Sequence, residues 1–264
     1  MPEKKRRIKI ATFNVNSIRA RLEIIISWLE KNNPDVLCMQ ETKVHDDQFP
    51  RKEFEKIGYI VGYHGQKAYN GVAIASRETP KAAGAGLGDI KEPDQARLIW
   101  AKIAGINIVN TYVPQGREMD TEQYEYKLKW LQRCKKFLSA NFTPHQKVLL
   151  CGDLNVALED IDVYNHKIIK NHVCFNPGIS KALYDVIDWG LVDVFRKHHP
   201  EPGQFTWFDY RLRGTVERNI GWRVDHVLAT KSLANKSVDS YIDLIPRKME
   251  KPSDHAPVVA EFEL

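Results

Sequence analysis

The chain has 264 residues, 43% of them hydrophobic and 28% charged, which excludes a disordered or collagen-like polymer. A chain of this length buries about three quarters of the surface its unfolded form exposes, so it needs neither disulfides nor zinc to fold. Its longest apolar run, Ile24 to Leu29 broken only by Ser27, is far short of the ~20 residues of a membrane span, and no membrane partner is expected.

The formal charge is +5, but the excess is local. Residues 1–9 carry five of the 39 basic groups (Lys4, Lys5, Arg6, Arg7 and Lys9) against one acid, Glu3. The remaining 255 residues are nearly balanced, with 34 basic and 33 acidic groups. Residues 1–7 therefore read as a basic flexible tail: a solvated terminus, an arm touching nucleic acid, or a nuclear address. No apolar leader follows, so it is not a secretory signal. Cys38, Cys134, Cys151 and Cys174 show no CxxC spacing. That usage fits a reducing, cytoplasmic setting.

In chain order, Ile8 to Phe13 reads as a strand ending at Asn14-Val15-Asn16. Leu22, Ile25, Ile26 and Leu29 then make the stripe of an amphipathic helix, which Pro34-Asp35 ends. Strands follow at Val36 to Met39, Tyr59 to Tyr63, Gly71 to Ser76, Ala96 to Ile103 and Ile106 to Val113, the last two joined as a hairpin by Ala104-Gly105. A long helix capped by Asp120 or Thr121 places Tyr124, Leu128, Leu131, Cys134 and Leu138 on one face. Val148 to Cys151 is a strand running into Gly152-Asp153-Leu154-Asn155. Lys181 to Trp189 reads as a helix capped by Gly190, and Val224 to Ala229 and Val258 to Phe262 as strands. Strands interleave with helices and several pair as hairpins, which predicts a layered α/β fold with mixed sheets in a single domain over 8–264. Two apolar strands, 8–13 and 148–151, each run out into a turn containing Asn-Val, a weak internal echo. Such strand ends are where ligands collect in α/β sheets.

The strand ends carry Asn14, Glu41, Asp153, Asn155, Asp225 and the pair Asp254-His255. These are oxygen and imidazole groups without a thiolate, a set that suits Mg²⁺ or Mn²⁺. A divalent ion, a carboxylate and a histidine together are the equipment of phosphoryl transfer. Singly, each has an ordinary alternative: a polar turn for 153–155, an ion pair for Glu41, a structural histidine for His255. Asp225, inside an apolar strand, needs a buried partner, and a histidine is a natural one.

Gln204 to Val224 holds Phe205, Trp207, Phe208, Tyr210 and Trp222 interleaved with Arg211, Arg213, Arg218 and Arg223. Arginine forks bind phosphates and aromatic faces stack on bases, so DNA recognition is placed here; a core segment with rim charges is the plainer alternative. The run Gly84-Ala85-Gly86 lacks a following Lys-Ser/Thr, so no nucleotide cofactor is expected. His45, His64, His145, His166, His172, His198 and His199 show no metal spacing and receive no role.

These residues carry a resemblance. Phe13-Asn14-Val15-Asn16, Leu37 to Lys43, Tyr112 to Gly116, Gly152 to Asn155, Trp189 to Asp193, Thr206 to Arg211 and Ser253 to Val258 are similar in order and spacing to the exonuclease III family of apurinic/apyrimidinic endonucleases. The resemblance is weakest around 160–180. It implies a four-layer α/β sandwich, two mixed sheets face to face with helices outside. It implies that Glu41, helped by Asn14 and with Asp254 in the shell, holds Mg²⁺, for which Mn²⁺ can substitute. Asp153 would orient and deprotonate the attacking water, and Asn155 would hold that water or a phosphate oxygen. His255, aligned by Asp225, would stabilise the phosphoryl oxygens, and Tyr112 would contact the phosphate or leaving group. The expected reaction cuts duplex DNA 5′ to an abasic sugar, with 3′–5′ digestion and removal of 3′-blocking groups, by a monomer.

Trp207, Trp222 and Val224 would line a narrow pocket for the flipped sugar. Gln115, Arg211, Arg213 and Arg218 would contact DNA. Arg117 would reach the DNA backbone or fill the gap left by the missing base, unless it is a plain loop residue. Ser17 stands where the family usually has glycine, which bears on the geometry of that turn. Competing functions are a phosphatase or lipid phosphodiesterase of the same superfamily and a catalytically idle DNA-binding module.

Overall fold

The computed structural model describes residues 6–88, 95–169 and 171–264. The first half comprises β1 (Arg7–Asn14), α1 (Leu22–Asn32), β2 (Val36–Gln40), α2 (Arg51–Lys56), β3 (Ile60–His64), β4 (Val72–Ser76) and β5 (Ala82–Ala85). Then come β6 (Leu98–Ile103), β7 (Ile106–Tyr112), α3 (Glu122–Asn141), β8 (Val148–Asp153) and α4 (Pro177–Ile187). The chain closes with β9 (Leu191–Asp193), α5 (Val194–His198), β10 (Asp225–Thr230), α6 (Lys231–Ala234), β11 (Ser237–Ile242) and β12 (Val258–Glu263).

The strands form two six-stranded sheets, ordered β11-β12-β1-β2-β4-β3 and β5-β6-β7-β8-β10-β9. Each has one parallel central pair, β1 with β2 and β7 with β8, and antiparallel neighbours around it. A parallel pair needs a crossover, and α1 and α3 supply the two. The repeated Asn-Val turns thus mark the ends of equivalent central strands.

The inner faces of the sheets meet through Ile8, Ile10, Cys38 and Ile74 on one side and Ile108, Cys151 and Val227 on the other. Helices α1 and α2 cover the first sheet, packing Trp28 and Phe54 against Phe13, Leu37 and Met39. Helices α3 and α4 cover the second, with Trp130, Leu131 and Leu183 over Val109 and Leu150. Each such buried side chain contributes about 1.5–3 kcal/mol. The result is the four-layer sandwich expected. Among the described residues, no helix is long and apolar enough to cross a membrane.

Several boundaries differ from the sequence reading for local reasons. Strand β1 begins at Arg7, whose guanidinium pairs with Glu261, and the Arg6 carbonyl accepts the Leu264 N–H at 2.8 Å. Arg6 and Arg7 therefore belong to the fold and not to the basic tail; residues 1–5 of that tail lie outside the described residues. Helix α4 begins at Pro177, earlier than Lys181, because Asn176 caps it by accepting the Ile179 N–H and Pro177 presets the first turn. It stops at Ile187, so Gly190, at φ +127°, turns the chain into β9 and does not cap the helix. Thr121, not Asp120, caps α3.

Candidate active site

The C-terminal ends of β1, β2 and β8 and the start of β10 converge at one edge of the sandwich. Asn14 ends β1, Glu41 follows β2, and Asp153 ends β8 directly opposite Asp225 in the β8–β10 register. Gly152 permits this. Its φ is +136°, and a Cβ there would lie 1.9 Å from the Thr111 carbonyl oxygen. Only glycine lets β8 approach β7 that closely just before the acid.

The Asn14 Nδ2 donates to Glu41 Oε1 at 2.8 Å and to Asp153 Oδ2 at 2.8 Å, tying acids from two sheets together. Its own oxygen accepts from the Asn16 N–H. So Asn14 presents its donor to the acids, and its oxygen faces the Asn16 N–H with a second lone pair free. Asp153 also accepts from the Asn155 N–H at 2.9 Å and from Asn155 Nδ2 at 3.2 Å. His255 Nδ1 meets Asp225 Oδ2 at 2.8 Å, and its Nε2 lies 3.7 Å from Asp153 Oδ2. The partner that a buried Asp225 needs is therefore His255.

Electrostatics follow from this crowding. Burial, then the neighbouring Asp225 and Glu41 carboxylates, raise Asp153 above the ordinary carboxylate range against the opposing pull of His255. Burial alone would lower His255, but the carboxylates of Asp225 and Asp153 outweigh it and push the imidazole up to about 10. Tyr112 is raised by burial and by Glu41 and Asp153, so its phenol stays protonated.

Ligand atoms of Glu41, Asp153 and His255 all lie within 4.8 Å of one another. Two hard oxygen donors this close repel unless a cation sits among them, and Asp225 Oδ1 is buried without a hydrogen-bond partner nearby. The donor set fits a hard divalent ion at Glu41. At present Lys43 supplies some positive charge, its Nζ 2.7 Å from Glu41 Oε2. Asp254 stands apart from this cluster: one oxygen accepts from Asn16 Nδ2 and the other from Trp207 Nε1.

A pocket of about 240 Å³ opens onto these groups, lined among others by Glu41, Tyr112, Asp153, Asn155, Asp254 and His255. Its walls include Trp207, Trp222 and Val224, expected there from sequence, Gln115 and Arg211, expected only as DNA contacts, and His172 and Cys174, which were given no role. Trp222 is crossed edge-on by Trp207 at 5.9 Å and by His172 at 4.5 Å, which fixes its ring. His172 and Cys174 lie in the stretch of weakest resemblance, and neither has a spacing signal.

Arg117, Arg213 and Arg218 are exposed on neighbouring loops and do not line the pocket. Arg223 is a correction. It is 1% exposed, with its guanidinium on Asp162 at 2.7 and 3.2 Å and on Asp193 at 2.8 Å. It is a buried ion-pair residue that anchors the segment carrying Trp222, Val224 and Asp225 into β10, and it has no surface with which to meet DNA.

Paired acids and an aligned imidazolium at the mouth of a pocket are suited to metal-assisted hydrolysis of a phosphoester. Comparison with known proteins agrees. The profile of the Endonuclease/Exonuclease/phosphatase family matches residues 11–255. Exodeoxyribonuclease III of Haemophilus influenzae is 36% identical over 97% of this chain and 100% of its own. The solved structure of an AP endonuclease from Archaeoglobus fulgidus superposes with a TM-score of 0.95 at 51% identity, covering 97% of this chain and 100% of that one. A Neisseria 3′ phosphatase bound to a product DNA hairpin gives 0.94 at 36% identity, with 97% and 100% covered. The chain belongs to the endonuclease/exonuclease/phosphatase family of metal-dependent hydrolases, in its exodeoxyribonuclease III branch of nucleases.

Proposed function

We propose that the chain from Arg6 onward forms a single, monomeric catalytic domain that cuts duplex DNA 5′ to an abasic sugar with Mg²⁺, for which Mn²⁺ substitutes. The products are a 3′-hydroxyl and a 5′-deoxyribose phosphate. The same site digests 3′ ends and removes 3′-blocking groups. The observation that carries this reading is the pocket itself: Trp207, Trp222 and Val224 wall a cavity of about 240 Å³ that opens onto Asp153, His255 and Glu41. Relatives described as an exodeoxyribonuclease III, an AP endonuclease and a 3′ phosphatase support it.

An abasic sugar leaves the helix at low cost because no base stacking holds it. Trp207, Trp222 and Val224 receive the sugar, which sets the adjoining phosphate against the acids. Asp153 takes the proton of the attacking water; its raised basicity suits that task near neutral pH. Asn155 holds Asp153 in place through two hydrogen bonds and contacts the water. His255, kept charged by Asp225, neutralises a phosphoryl oxygen, and Tyr112 donates its phenol proton toward the phosphate or the leaving oxygen. A divalent ion held by Glu41 would supply Lewis-acid neutralisation of the phosphate. Gln115, Arg117, Arg211, Arg213 and Arg218 contact the DNA backbone around the pocket.

The test is an end-labelled duplex with one abasic analogue, run beside an undamaged recessed duplex. Mg²⁺-dependent nicking at the analogue, stopped by chelator and restored by Mg²⁺, is the expected result. Uncut abasic duplex, or cutting that persists in chelator, overturns it.

A further inference from the structure

Helix α3 carries one residue that its amphipathic pattern does not account for. Lys127 lies on the buried face with no exposed surface. Its Nζ donates to three backbone carbonyls: Gln115 at 3.1 Å, Asn155 at 2.7 Å and Val173 at 2.7 Å, with Cys174 Sγ at 3.6 Å. None of these acceptors is a carboxylate, so this is not a buried salt bridge. An ammonium has three donors and no acceptor, and all three are spent on main chain.

The three carbonyls belong to three different loops. One follows β7, one follows β8 and one precedes α4, and they bring Gln115, Asn155, His172 and Cys174 to the pocket. Lys127 Nζ is a single atom that reaches all of them. The Asn155 contact has the most consequence. Asn155 is at φ +51°, a left-handed conformation that turns its carbonyl away from Asp153 and onto Lys127. Its N–H and amide are left aimed at Asp153. Gly116, at φ +94°, keeps the passage open, since a Cβ there would come 3.1 Å from Lys127 Cδ.

We propose that Lys127 is a positioning residue for the reaction: its ammonium pins the Gln115, Asn155 and Val173 carbonyls, so that Asn155 holds Asp153 in its reactive orientation and the pocket wall at Cys174 stays closed. The proposal rests on the phosphodiesterase reading above. An apolar side chain of similar length fills the same volume but leaves three inward carbonyls without donors, and the loops then turn them toward water.

Lys127→Met and Lys127→Arg, made in the full chain, test this on the abasic duplex with Mg²⁺ and by native-state alkylation with iodoacetamide followed by peptide mapping. In Lys127→Met, kcat falls roughly 10- to 100-fold while KM moves less than about threefold, because a misplacement near 1 Å is enough for such a loss. Cys174 is alkylated about tenfold faster or more, while Cys38, Cys134 and Cys151, buried elsewhere, stay protected. Lys127→Arg keeps a donor-rich cation and recovers part of both effects; if the methionine variant does not fold, the arginine variant decides alone. Wild-type kcat and Cys174 protection in a folded variant overturn the proposal. So does an equal rise in labelling at all four cysteines, which marks general loosening. Should the wild-type chain leave the abasic duplex uncut, the functional reading fails, and Cys174 labelling still decides the role of Lys127 as a tie.

Discussion

His255 Nδ1 and Asp225 Oδ2 lie 2.8 Å apart, both buried, on segments that approach from different sheets. The contact aligns the ring and keeps it charged. Because the imidazole is raised to about 10 in the fold from an ordinary value of about 6.5, its contribution to stability is complete below about 6.5 and disappears as pH rises through about 10. The thermal midpoint of the native chain is therefore expected to fall between pH 7 and 10. In Asp225→Asn that fall is flattened, because the main carboxylate raising the imidazole is gone. Calorimetric scans of both proteins across this range check the point, and parallel curves contradict it.

Asp153→Asn keeps the shape of the site and removes the base. Cutting of the abasic duplex is expected to fall by at least about 10²–10⁴-fold, the usual contribution of a positioned base. DNA affinity changes little, since the phosphate then faces one fewer negative charge. Single-turnover cleavage alongside equilibrium binding separates the two; turnover within a few-fold of wild type removes Asp153 from that role.

How far the sequence reached can be judged from particular residues. The central strands and long helices were legible because their apolar periodicity is strong. Strand β5, of Ala and Gly only, had no pattern to read, and its place is set by Gly84 closing on the Trp100 ring. The acids and His255 were legible because each stands at the start or the end of an apolar strand, or just beside one. His172, Cys174 and Lys127 were not, because what they do depends on loops that meet only in three dimensions. Arg223 was misread for the same reason: nothing in its neighbours along the chain reveals Asp162 and Asp193 beneath it.

That misreading gives a contrast to measure. Arg223→Met leaves Asp162 and Asp193 short of a buried partner and is expected to cost about 3–5 kcal/mol of stability. Arg213→Ala and Arg218→Ala, both exposed, leave stability within about 0.5 kcal/mol. If they meet phosphates, each lowers the salt dependence of DNA binding by nearly one counterion. Denaturant unfolding and binding titrations at several salt concentrations read both quantities. An Arg223→Met chain as stable as wild type would mean that the ion pairs are redundant.

The turn after β1 bears a strain that one substitution relieves. Ser17 is held at φ +87°, where a Cβ is unfavourable, and its N–H donates to the Glu41 carbonyl at 2.7 Å. Val15 and Ile18 bond to the Gln40 and Thr42 carbonyls on either side, so the turn cannot relax without moving Glu41. Glycine removes the left-handed penalty of about 1–2 kcal/mol but adds about 0.5–1 kcal/mol of unfolded-state entropy. Ser17→Gly is accordingly expected to stabilise the chain by about 0.5–1 kcal/mol, with the Glu41 backbone and Mg²⁺ response unchanged. Denaturant midpoints with and without Mg²⁺ measure this. A destabilised Ser17→Gly would show that the Ser17 side chain contributes more to the turn than its backbone strain costs.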